Sequence, residues 1–138
     1  MLKAGAKTGL EWRDLVDFGT TDFSIKGATA IDAKTAKDLL ERGVPFVDVH
    51  YFWHEQRIPG AKHLGMWAFE FNEVTLPKIA EKTQEVVIYT SIANDSKLLP
   101  QAVALAVSWG YEKIYFFQDG LNAWKSAGYP IETDQKKY

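Results

Sequence analysis

Residues 85–110 read EVVIYTSIANDSKLLPQAVALAVSWG, and they pass from one periodicity to another. The first six, EVVIYT, are β-branched and aromatic with polar neighbours, the pattern of a buried strand. A mostly polar stretch follows, TSIANDSKLLP over residues 90–100. Then Ala102, Val103, Leu105, Ala106 and Trp109 recur at helical spacing until Gly110 stops them. Strand, loop and helix in that order form part of a βαβ unit. A strand that is apolar along its whole length suits a parallel sheet covered on both faces.

The same alternation extends in both directions. Upstream, VPFVDV at residues 44–49 reads as a second buried strand, broken in character only by Asp48. Before it comes a helix over residues 33–42, with Asp32 as N-cap and Gly43 as its stop, and a short strand over residues 28–31. Downstream, KIYFF at 113–117 predicts a strand, and residues 120–127 a last helix ended by Gly128. Between the two buried strands runs a loop rich in histidine and aromatics, residues 50–64, with the turn Ile58-Pro59-Gly60. Short helices are expected over residues 66–71 and 75–81. Residues 1–27 read as a lead-in with a short helix, because Leu10, Trp12, Leu15, Val16 and Phe18 show loose helical spacing before Gly19-Thr20-Thr21. Residues 133–138 read as a polar tail, and no internal repeat appears. The expected architecture is therefore α/β: one domain over residues 28–132, a parallel open sheet flanked by helices on both faces.

Composition narrows the chemistry. The chain has 138 residues, 46% hydrophobic, and its 16 basic and 18 acidic side chains leave a formal charge of −2. That length suits one core, and the charge balance offers no basic surface for nucleic acid. No apolar stretch approaches the roughly 18 residues of a membrane span, and residues 1–7 lack a signal-peptide pattern. A soluble, cytoplasmic chain is the expectation. Cysteine is absent altogether, which excludes disulfides, thiolate metal sites and any thiol nucleophile.

In an open parallel sheet, ligands bind beyond the carboxyl ends of the strands. Two segments qualify here, residues 48–64 and 90–100. The second leads into a helix, so the backbone around Thr90, Ser91, Ile92, Ala93, Asn94, Asp95, Ser96 and Lys97 is a candidate anion cradle. Lys97 and Arg57 favour an anion there, and Asp95 opposes one. Thr90 or Ser91 as the nucleophile of a small hydrolase is a separate possibility, although no G-x-S-x-G elbow accompanies them. His50, His54 and His63 invite a zinc reading with Glu55 or Asp48, but i, i+4 spacing loses its meaning in a loop, and no metal or cofactor is expected. Asp48 stands at a strand end, as a catalytic group or as a structural acceptor for loop amides. Trp109 and Trp124 belong to helices with periodic apolar neighbours and are expected in the core. Trp53, Trp67, Phe69 and Phe71 are either core or an aromatic patch, with partial exposure expected for Trp53 and Trp67.

Five motifs in order resemble the rhodanese-homology domain, the fold of the thiosulfate sulfurtransferases. Ile31-Asp32-Ala33 is similar to the segment that opens the family's first helix. Phe46-Val47-Asp48-Val49 resembles its "DVR" strand, with His50 in place of the arginine. Arg57-Ile58-Pro59-Gly60-Ala61 resembles the "HIPGA" turn, with Arg57 in place of the histidine. Val86-Val87-Ile88-Tyr89 resembles the strand that delivers the catalytic loop. Asp119 to Trp124 and Ala127-Gly128-Tyr129-Pro130 resemble the closing "GG-x-x-x-W…AGYP" signature. The resemblance spans about residues 28–132.

What the resemblance implies is then contradicted by particular residues. It implies a cysteine directly after the catalytic strand, carrying a persulfide; Thr90 holds that place. It implies a compact loop containing glycine and ending near an arginine; residues 90–100 hold neither, and Asp95 and Lys97 stand there instead. Phosphatase and arsenate reductase relatives need the same cysteine and arginine. By the same resemblance Asp48 is a structural residue and, with Arg57, forms the rim of the pocket. The expectation is a catalytically inactive module that acts by binding a protein partner, a neighbouring domain of a longer chain, or weakly a small anion, with no nucleic acid or membrane involved. The alternatives are a sulfurtransferase-class protein that is an altered form or works by another route, and the hydrolase.

Overall fold

The computed structural model describes residues 15–18, 23–50, 56–66, 70–90 and 98–133. Nine strands and three helices follow one another among them: β1 (Val16–Phe18), β2 (Phe23–Ile25), β3 (Ala28–Ile31), α1 (Ala33–Glu41), β4 (Phe46–Asp48), β5 (Gln56–Arg57), β6 (Lys62–His63), β7 (Glu85–Tyr89), α2 (Leu98–Ser108), β8 (Lys113–Phe117), α3 (Gly120–Ser126) and β9 (Glu132–Thr133). Five of the strands form one parallel sheet in the order β3-β8-β7-β4-β6. The α/β parallel sheet expected from the strand and helix alternation is the observed fold.

Strand alternation divides the core in two. Along β7, Val86 and Ile88 join one cluster while Val87 and Tyr89 join the other, as side chains of period two must. The first cluster packs Val47, Ile88, Ile114 and Phe116 against α2. The second packs Phe46, Val87 and Phe117 against α1 and α3 through Ala36, Leu39, Leu121 and Trp124. Trp124 is wholly buried, edge-on to Phe46, Phe117 and Tyr129, and its indole N–H donates to the Pro130 carbonyl at 2.7 Å. That bond satisfies the one polar atom of a large buried ring and holds the turn after α3 in place. Trp109, 8% exposed, lies in the opposite cluster against Phe71. Both tryptophans are core residues, as their helical periodicity requires.

Helix α1 begins where the sequence places it. The Asp32 carboxylate accepts the Thr35 N–H at 2.9 Å, an N-cap bond. Its charged form is favoured by that bond, so the carboxyl titrates below its ordinary range.

Three segments differ from the sequence expectation. Residues 15–18 carry helical spacing, yet Val16–Phe18 is a strand paired antiparallel with Phe23–Ile25. Val16, Phe18, Phe23 and Ile25 are β-branched or aromatic, and pairing with a close neighbour outweighs a weak periodicity. The rest of the expected N-terminal helix, residues 1–14, lies outside the described residues. The helix expected over 75–81 is only a 3-10 turn at Leu76–Lys78, closed by the Ile79 N–H donating to the Leu76 carbonyl at 2.9 Å. Of the helix expected over 66–71, residues 67–69 lie outside the described residues, and Met66, Glu70 and Phe71 are not helical.

The β1–β2 hairpin is part of the body of the protein. Leu15 and Ile25 are buried in the cluster that contains α2, and the Lys26 N–H donates to the Leu15 carbonyl at 2.9 Å. Helix α2 thus lies between sheet and hairpin, which explains burial of Leu98, Leu99, Ala102, Val103, Ala104 and Ala106 around most of its circumference. The turn into β3 meets α2 at Gly27, whose φ is +92° and where a Cβ would lie 2.9 Å from Val107 Cγ1. Gly27→Ala is therefore expected to destabilise the protein by about 2 kcal/mol. Val107→Ala in the same chain should return part of that loss by removing the clash. Urea denaturation of the two variants checks this, and an unchanged midpoint for Gly27→Ala would contradict the packing described.

Candidate functional site

Connections diverge in the middle of the sheet. From β4 the chain runs outward to the edge strand β6; from β7 it runs the other way to β8. The crevice at such a switch point lies beyond the carboxyl ends of the two neighbouring strands. Here those ends are Asp48 and Tyr89, directly paired in register, with the Val49 N–H donating to the Tyr89 carbonyl at 2.9 Å.

Asp48 builds the way out of β4. It is 3% exposed, and its Oδ1 accepts the His50 N–H at 2.9 Å, a side-chain turn that redirects the backbone. Its carbonyl accepts the Leu64 N–H at 2.9 Å, which seats the returning strand β6. His50 is also buried, and its carbonyl oxygen lies 3.0 Å from Nε2 of His63. Asp48 is thus bonded to loop backbone at this end of the sheet.

Tyr89 builds the other wall. Its side chain is fully buried, and its hydroxyl oxygen accepts the Ile58 N–H at 3.1 Å, pinning the turn at residues 57–60. Burial first, and the nearby Asp48 charge second, hold the phenol well above its ordinary value of 10.0, so it stays neutral. The Ile58 N–H and the Arg57 charge act in the opposite direction, and Glu132 adds to the rise. The turn is clamped from outside as well. Strand β9 pairs antiparallel with β5, setting Glu132 against Arg57, and the Glu132 carboxylate accepts the Gly60 N–H at 2.8 Å. Lys125 donates to Gln56 Oε1 at 2.9 Å.

Thr90 follows β7 directly and is 2% exposed. Ser91, Ile92, Ala93, Asn94, Asp95, Ser96 and Lys97 lie outside the described residues, as do His54, Trp53, Trp67 and Phe69. Helix α2 is described from Leu98 onward. Asp48 and Arg57, expected at a pocket rim, are 3% and 7% exposed and lie beneath the surface. Among the described residues, no group of three or more His, Cys, Asp or Glu side chains is arranged to hold a metal ion, and no helix is long and apolar enough to cross a membrane.

A cleft of about 310 Å³ lies at the other end of the sheet, lined by Arg42, Gly43, Val44, Pro45, Thr83, Gln84, Glu85 and Lys113. Its charges answer one another: Arg42 reaches both Glu85 oxygens at 3.3 Å, and the Tyr115 hydroxyl donates to Glu85 at 2.8 Å. An exposed pair of that kind is a solvated surface feature, and the switch point is the stronger candidate.

The sequence model of the rhodanese-like domain matches residues 32–127. The chain belongs to the rhodanese-like domain family. A crystal structure of a protein from Anabaena sp. is similar over 75% of this chain and 92% of its own, with 27% identity and a TM-score of 0.63. The solution structure of the rhodanese-like domain of that Anabaena protein matches at 27% identity and TM-score 0.61, covering 75% of this chain and 78% of its own. A polysulfide-sulfur transferase homodimer from Wolinella succinogenes shares the fold at 17% identity and TM-score 0.59, over 81% of this chain and 82% of its own. No curated protein sequence matches significantly.

In this rhodanese-like domain, Tyr89 and Glu132 are site residues that the motifs alone did not single out. A tyrosine ending an otherwise aliphatic strand was the available signal, because a buried phenol needs a polar partner. Tyr89→Phe leaves the buried Ile58 amide without this acceptor and is expected to cost about 1–3 kcal/mol. The variant should also change the alkaline limb of stability. Unfolded tyrosine ionises near 10 while the folded phenol resists it, so the folded state holds the extra proton and stability falls as pH rises past 10. Denaturation at pH 8 and above pH 10 should show a steeper fall in the unmodified protein than in Tyr89→Phe. Equal slopes would contradict a buried, proton-retaining Tyr89.

Proposed function

We propose that this rhodanese-like domain acts by binding and performs no sulfur transfer. One observation carries the reading: the position after the central strand is Thr90, 2% exposed, in a chain without cysteine. Persulfide chemistry needs a sulfur that ionises near neutral pH and forms a sulfur–sulfur bond. A threonine oxygen does neither, and no residue elsewhere in the chain supplies a thiol.

The surrounding frame supports a ligand role. Asp48 and Tyr89 still organise the strand ends, and the chain passes from Thr90 to the N-terminal end of α2. Such a terminus favours negative charge. A small oxyanion, or an acidic group carried by a protein partner or neighbouring domain, is the chemistry that suits it. A hydrolase using Thr90 has less support, because a hydroxyl nucleophile must meet its substrate and Thr90 is buried, while Ser91, the other nucleophile of that alternative, lies outside the described residues.

Two-dimensional amide NMR with sodium thiosulfate and, separately, sodium phosphate tests the reading. Saturable shifts centred on Thr90 and Leu98, weakened by added salt, are expected at millimolar anion, with the mass of the chain unchanged afterwards. A covalent sulfur adduct after thiosulfate would overturn the binding-only reading. Shifts confined to the Arg42 cleft would place the anion at the wrong end of the sheet.

A further inference from the structure

Strand β6 is an edge strand of two residues, so side-chain contacts matter to its hold on the sheet. His63 supplies one. Its side chain is 4% exposed, and its Nε2 lies 3.0 Å from the His50 carbonyl oxygen. A carbonyl oxygen only accepts, so Nε2 carries the proton. The neutral ring is thereby fixed in one tautomer, with a lone pair on Nδ1. Nδ1 lies 3.8 Å from Glu70 Oε1, and that same oxygen accepts the Gly65 N–H at 3.0 Å. The Glu70 N–H in turn donates to the Gly65 carbonyl at 3.0 Å, so residues 65 and 70 are tied together beside the exit of β4.

The two protonation states of His63 therefore differ in sign. A lone pair facing an ionised carboxylate is repulsive. A protonated Nδ1 facing it is an ion pair, with the imidazole side chain 4% exposed and the carboxylate side chain 29% exposed. We propose that His63 is a proton-operated latch: taking up a proton at Nδ1 ties β6 to Glu70 and tightens the β4–β6 side of the crevice. Losing that proton loosens it.

The charged groups around the ring set the balance. Glu70, from the turn after β6, favours the imidazolium, and so does Asp48, the register partner of His63 on β4. His50, buried at the end of β4, opposes it when charged, as does Lys62, exposed on β6 itself. The latch needs a protonated imidazole and an ionised carboxylate together. It is closed in mild acid, opens as pH rises and the Nδ1 proton leaves, and fails again in acid strong enough to neutralise Glu70.

The consequence for ligand affinity rests on the binding function proposed above, whereas the latch itself does not. Long-range 1H–15N NMR of the histidine rings in the full 138-residue protein, between pH 8 and pH 5, tests it. At pH 8 the His63 ring is expected in the Nε2–H tautomer, and on acidification the Gly65 amide resonance should move in step with His63 protonation. Glu70→Gln keeps an oxygen for the Gly65 N–H and removes the charge. In that variant, protonating His63 should require about tenfold more acid, and the Gly65 amide should no longer follow it.

A His63 ring protonated at Nδ1 at pH 8 would overturn the latch, and this result needs no variant. Unchanged tracking in Glu70→Gln would overturn it as well. Sodium sulfate titrations at pH 6 and pH 8, a range in which sulfate stays a dianion, keep the two ideas apart. Failure of the binding reading gives no amide shifts at either pH while the histidine result stands. Failure of the latch gives shifts of equal midpoint at both.

Discussion

At the carboxyl end of the sheet, Asp48 lies opposite Tyr89, and the bonds that leave these two residues shape everything around the crevice. The Asp48 carboxylate turns the chain out of β4, and its carbonyl receives the returning β6. The Tyr89 carbonyl holds Val49, and its hydroxyl holds the turn at Ile58. Strand β9 then closes over that turn through Glu132. Asp48, Val49, Ile58 and Tyr89 are buried, and an unmet buried donor or acceptor costs about 1–3 kcal/mol. The frame is therefore demanded by folding, whatever occupies the crevice.

That separation makes the frame independent of the group that follows β7. Sulfur transfer depends on one atom at the position after β7, and the frame does not use that atom. A β-branched threonine suits the end of a buried strand, since its methyl packs and its hydroxyl is small enough for a local polar contact. Under the binding-only reading proposed above, oxygen in that place ends the reaction while the Asp48 and Tyr89 bonds stay. His63 joins that frame to its surroundings, its Nε2 3.0 Å from the His50 carbonyl oxygen and its Nδ1 3.8 Å from Glu70 Oε1.

The architecture was legible where the physics is local. Val86–Tyr89 is an unbroken apolar run because β7 is central and covered on both faces, and Asp32 announces its helix because a carboxylate before a helical run caps it. The rhodanese-like membership followed from short motifs that each answer a backbone requirement, such as the turn at Ile58-Pro59-Gly60. The hairpin was not legible. Val16–Phe18 and Phe23–Ile25 have six residues of strand between them, and their stability comes from contact with α2, far away in sequence. Pairings across long separations were equally invisible, including Glu132 on Gly60 and Nε2 of His63 on the His50 carbonyl. Of the site, Asp48, Arg57 and Thr90 could be named in advance; their burial could not, because it depends on how the loops close over them.

Whether oxygen at position 90 ends sulfur transfer is settled most directly by a thiosulfate:cyanide sulfurtransferase assay of the unmodified protein, with Thr90→Cys measured beside it. No thiocyanate above the protein-free rate is predicted for the unmodified chain at any thiosulfate concentration. Catalytic turnover by the unmodified chain would contradict a binding-only domain and demand a route to sulfur transfer that uses no thiol of its own.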